Sequence, residues 1–202
     1  MKRNLVLSGL VALFTGSSEL IAQDILPAEL QIKMALQAAP ADKKDSAMVY
    51  GYSSAGQFVI LRKGLNDMVC LADNPKQKGV YINCYFKELE PFMARGRELN
   101  AERKTYKQKM DTRELDVKNG KVLMPKQPTT LFAYWGSDEA LNTETGELKD
   151  AQRRYVVYIP FATSKTTGLP NKPDVPGMPW IMDEGTHKAH IMINPANMLH
   201  KH

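Results

Sequence analysis

The residue types best suited to chemistry stand near the C-terminus, in "PWIMDEGTHKAHIMINP", where His187 and His190 lie three apart beside Asp183 and Glu184. Histidine next to carboxylate can ligate a metal or move a proton near neutral pH. Spacing weighs against both. On a helix an H-x-x-H pair shares one face, whereas on a strand successive side chains alternate between faces. Gly185 and the prolines around this stretch disfavour a helix, and "AHIMI" reads as a strand. Ala189, Ile191 and Ile193 then point one way, and His190 and Met192 the other. A zinc site also needs a third ligand held by outer-shell partners, and nothing local aims Asp183 or Glu184 at either ring. The expectation is no metal, and a polar entrance to a strand with one half-buried histidine.

Other candidates yield to plainer readings. "GYSSAG" evokes the G-x-S-x-G nucleophile elbow, which sits between a strand and a helix; here Ala55 replaces the last glycine and a strand follows. The adjacent acids Asp138–Glu139 and Asp183–Glu184 could act as general acid and base, but such pairs in loops are mostly solvated surface. The helix segment "ARGRELNAERKTYKQK" is strongly basic yet lacks the interleaved aromatics of a nucleic-acid platform. No dinucleotide fingerprint, phosphate loop or H-E-x-x-H helix occurs. The sequence therefore predicts no catalytic residue, no cofactor and no nucleic-acid partner. Clustered aromatics in "LFAYWG" and "YVVYIPFA" beside polar loops make Tyr134, Trp135, Asp138, His187 and His190 the candidate binding residues, for an unknown ligand or envelope partner. The competing class is a hydrolase-type enzyme using His190 with a nearby carboxylate.

Residues 1–22 read as a secretory signal peptide: Lys2 and Arg3, an apolar stretch diluted by Ser and Gly, then Ala22 at the cleavage point. A retained anchor would need roughly 20 apolar residues, so no integral span is expected after cleavage. Residues 23–202 are expected to form a single exported α+β domain, periplasmic or secreted. The formal net charge of +5 drops by one when Lys2, Arg3 and Glu19 leave, a balance that bears on solubility more than on partners. In an oxidising compartment the two cysteines, Cys70 and Cys84, are expected to pair. A loop of about 15 residues closed this way contributes about 3 kcal/mol in the chain-entropy account.

Elements to position these residues follow from periodicity. A proline-started run predicts a short helix over 28–38, ended by Pro40. Met48–Tyr50 and Phe58–Leu61 flank a Ser/Gly turn as a hairpin, and a third strand covers Asp67–Leu71. Leu89, Phe92, Gly96, Leu99, Arg103, Tyr106 and Met110 follow a 3-4 spacing that predicts one long amphipathic helix, with Pro91 in its first turn. "KVLMP", "TTLFAYWG", "RRYVVYIPFA" and "HKAHIMIN" read as strands. Pro170, Pro173, Pro176 and Pro179 mark an irregular surface stretch. Without βαβ alternation, the class is α+β with a mainly antiparallel sheet, a short N-terminal helix and one long amphipathic helix.

"LRKGLNDMVCLADNP", followed by Cys84, "LFAYWGSDEALN", "PFA" and "AHIMI", resembles a family of uncharacterised exported bacterial proteins with an L-R-x-G-x-N-x-x-x-C-x-x-D-x-P pattern and a P-H-V-M-I-like closing strand. The resemblance marks Arg62, Gly64, Asn66, Cys70, Asp73, Pro75, Cys84 and His190 as pattern positions. Met68 stands where an aromatic is usual and Ala72 where proline is usual, and the basic helix is a longer insertion. The family brings no activity with it.

Overall fold

Pro27 opens α1 (Ala28–Ala35), where its missing N–H goes unneeded. Leu36–Ala38 continue as a 3-10 turn before Pro40. The computed structural model describes residues 25–195, so the expected signal peptide at 1–22 lies outside the described residues. Met34 and Ala35 of α1 are buried, and so is Gln31. The Gln31 amide donates to the carbonyls of Leu26 and Tyr52 and accepts from the Tyr52 N–H, so its burial leaves no polar group stranded.

Eight strands form one sheet: β1 (Met48–Tyr52), β2 (Phe58–Arg62), β3 (Met68–Leu71), β4 (Val80–Phe86), β5 (Thr129–Gly136), β6 (Gln152–Tyr158), β7 (Trp180–Met182) and β8 (His190–Ile193). Their order is β2-β1-β3-β4-β5-β6-β8-β7. All named pairings are antiparallel except β1 with β3, between which β2 is the crossover. This is the α+β class with a mainly antiparallel sheet. Alternation builds two apolar layers. Val49, Met68, Cys70, Ile82 and Cys84 pack with Met34 and Ala35 on the α1 face; Val69, Tyr85, Leu131, Ala133, Val156 and Met192 pack with Leu89 on the other.

The expected long helix is a correction: it is two helices, α2 (Glu90–Ala101) and α3 (Tyr106–Lys118). Arg103 takes a left-handed φ of 55°, and Thr105 with Gln108 forms a capping box that starts a new helix. The apolar stripe ends at Leu99, so nothing holds a straight continuation on the sheet. The chain reverses, and Arg95 Nε donates to Asp116 Oδ2 at 2.6 Å across the pair. Pro91 does sit in the first turn of α2. "KVLMP" is not a strand either. The Val122 N–H bonds back to the Asp116 carbonyl as α3 ends, and Pro125 and Pro128 follow, residues that interrupt a ladder.

Two elements carry no sequence forecast. β7 directly follows the proline-rich run and is too short to show a period. In that run, α4 (Ser164–Thr167) makes a single capped turn. The polar excursion after β5 folds back on the N-terminal helix: Gln37 donates to the Gly146 carbonyl and accepts from the Leu148 N–H.

The pattern positions near β2 act as pins. Arg62 donates to the carbonyls of Ala47 and Lys44, and Asn66 donates to the Lys43 carbonyl while accepting the Met68 N–H. A Cβ on Gly64 would stand 2.5 Å from Met48 N, so only glycine permits that approach.

Candidate functional site

The five candidate residues separate into distinct neighbourhoods. His190 lies opposite Tyr158 on β6, whereas Trp135 lies opposite Gln152. Six residues of strand set these positions roughly 20 Å apart at about 3.3 Å per residue. Tyr134 faces the α1 side, under Arg153 at 4.8 Å, in a small hollow with Ala38 and Pro40. Trp135 packs in the opposite layer, under Arg154 at 4.7 Å. Asp138 accepts the Gly79 N–H at 2.8 Å beyond the strand end.

His190 is 8% exposed, and its Nδ1 donates to the Lys188 carbonyl at 2.7 Å. His187 is 1% exposed, meets the Phe92 ring edge-on at 5.8 Å, and has no hydrogen-bond partner at either ring nitrogen. Burial pushes both imidazoles below the usual histidine range. The neighbouring acids are committed. Asp183 pairs with Lys188 at 3.0 Å, and Glu184 accepts from the Ser164 N–H and the Asn171 amide. Among the described residues no group of three or more metal-ligating side chains converges.

A different place gathers polar and aromatic side chains. Between α2 and the sheet layer of β1 to β4 runs a groove of about 520 Å³, within the size range of small-molecule sites. Tyr52, Phe58 and Tyr81 supply aromatic surface; Asn74, Gln77, Asn83 and Asn100 supply amides. Asn74 and Gln77 belong to the turn between β3 and β4, whose strands carry the directly paired Cys70 and Cys84. These form a disulfide that is wholly buried. Asn83 is 6% exposed, and its Oδ1 has no hydrogen-bond partner in the protein. A buried amide carbonyl left this way costs about 1–3 kcal/mol relative to a paired one.

The groove's charges are cancelled internally. Arg97 donates to Glu90 at 2.5 Å and to the Tyr85 hydroxyl at 3.0 Å, while its guanidinium lies over Tyr50 and Phe58. Glu98 accepts from Arg95 at 2.9 Å. Behind the same turn, on the α1 side, Asp73 and Asp138 line a second cavity of about 380 Å³. Asp73 is buried and accepts the Tyr81 N–H at 2.7 Å. Burial, with Asp138 nearby, raises its carboxyl to about 6.

Sequence reasoning missed the groove because its amides are spread from residue 74 to residue 100 with no local period. The one legible signal was Tyr52 on β1, opposite Phe58 on β2; Tyr50, two residues back on the same face, stacks on Phe58 at 5.3 Å. No family model, no curated protein and no solved structure matches this chain.

Proposed function

We propose that this is an exported, non-catalytic binding protein whose ligand seat is the groove between α2 and strands β1 to β4. The observation that carries the reading is the Asn83 carbonyl, buried and unpartnered in a groove otherwise rich in paired groups. Native proteins rarely leave such an acceptor orphaned, and each one that is left calls for an explanation; the Asn83 carbonyl lies in an open groove where a ligand can supply the donor. Support for export comes from the leader pattern at 1–22 and from the disulfide, a bond that persists in oxidising compartments. Among the described residues no helix is long and apolar enough to cross a membrane. Membership of the exported bacterial family is part of the same proposal, supported by Arg62, Gly64 and Asn66 acting as structural pins.

The hydrolase reading has less behind it, since the His190 Nδ1 and the Asp183 carboxylate both answer to Lys188. The test is a fragment screen by amide NMR on residues 23–202. Hits should shift Gln77, Tyr81, Asn83 and Arg97 together, and Asn83→Leu should abolish those shifts while holding or raising the urea midpoint. Hits that cluster around His187 and His190 instead, or none at all, would sink the proposal.

A further inference from the structure

We infer that the ligand of this groove is a neutral saccharide, an inference that rests on the groove being the ligand seat. A sugar presents hydroxyls that both donate and accept, set around an apolar C–H face. The groove offers the complement of each. Asn74, Gln77, Asn83 and Asn100 each carry an NH₂ donor. The Asn74 and Asn100 carbonyls already accept from the Lys76 N–H and from Lys109 Nζ, whereas the buried Asn83 Oδ1 still requires a donor. The Tyr81 ring is 47% exposed and lines the same groove, a flat apolar surface on which a pyranose face can lie.

Charge narrows the choice. Arg97 is answered by Glu90, and Glu98 by Arg95, so neither is left to recognise a phosphate, a carboxylate or an ammonium group. An ionic ligand would compete with these pairs, whereas a neutral polyol leaves both in place. The turn that supplies Asn74 and Gln77 rises from the disulfide-linked strands, which holds two of the four amides in place before binding and lowers the ordering cost.

The experiment is titration of residues 23–202 with maltotriose, cellotriose and N,N′,N″-triacetylchitotriose, with glucose 6-phosphate and a neutral tripeptide as controls, read by calorimetry and amide NMR. At least one trisaccharide should bind with shifts at Tyr81 and Asn83, and both Tyr81→Ala and Asn83→Leu should weaken it at least tenfold. Tyr81→Ala alters an exposed ring and Asn83→Leu removes an orphaned acceptor, so unchanged circular dichroism is expected for both. Shifts in the groove with the tripeptide or the phosphate, and none with any trisaccharide, would overturn the saccharide and leave the groove standing. Trisaccharide binding unaffected by both variants would overturn the groove itself.

Discussion

At the residue scale, burial without partners sets the chemistry of His187. Both ring nitrogens lack a hydrogen bond, so the neutral ring is already costly and the charged ring more so. Its folded pKa lies below the usual value of about 6.5. Below that pH the unfolded chain binds a proton that the folded chain refuses, so stability is retained above about 6.5 and falls as pH drops. Replacing His187 by Leu, close to it in volume, should raise stability by about 1 kcal/mol at pH 7.5 and by more at pH 5.5. Urea melts at the two pH values measure this, and a midpoint lowered at both would show that the nitrogens contribute. Asp73 behaves oppositely. Its carboxyl, raised to about 6, keeps its proton in the folded chain after the unfolded chain has lost it. Its contribution is therefore full below about 4 and is lost as pH rises through about 6. Carboxyl-carbon NMR should show one aspartate titrating near 6, absent in Asp73→Asn.

At the element scale, the β3–β4 hairpin is the part that both cavities share. Cys70 and Cys84 face one another across the ladder, and the turn beyond them supplies Asp73 and Pro75 to one cavity and Asn74 and Gln77 to the other. The double variant Cys70→Ala/Cys84→Ala should lose about 3 kcal/mol of stability, the value for closing a loop of this length. Hydrogen exchange at residues 74–79 should speed up more than exchange in β5 and β6. A uniform change across the sheet would mean that the bridge stabilises the molecule without holding the turn. The helical hairpin teaches a related point. Periodicity alone joined α2 to α3, because 3-4 spacing persists through Tyr106 and Met110; the Thr105–Gln108 capping box was a local start signal for a second helix within the same residues.

At the scale of the whole molecule, one sheet carries a helix layer on each face, and the site candidates divide between them. If the chain is exported as proposed, intact mass of protein recovered from the cell envelope should begin at Gln23 and fall two hydrogens short of the reduced mass. A full-length mass with both thiols open to alkylation would refute this. Sequence by itself determined the elements whose signals are local. These are the hairpin from its turn, the aromatic strands from their β-branched runs, the cysteine pair from its count, and the antiparallel class from the lack of helix-strand alternation. Local periodicity also placed His190 and Met192 on one face of a strand. Only the tertiary structure decided which strands are neighbours, and so which side chains meet. Strand order moved His190 to one end of β6 and Trp135 to the other, and it brought Asn83 under Arg97 and Asn100. Register and crossover depend on packing between segments far apart in the chain, and no window of sequence contains both partners.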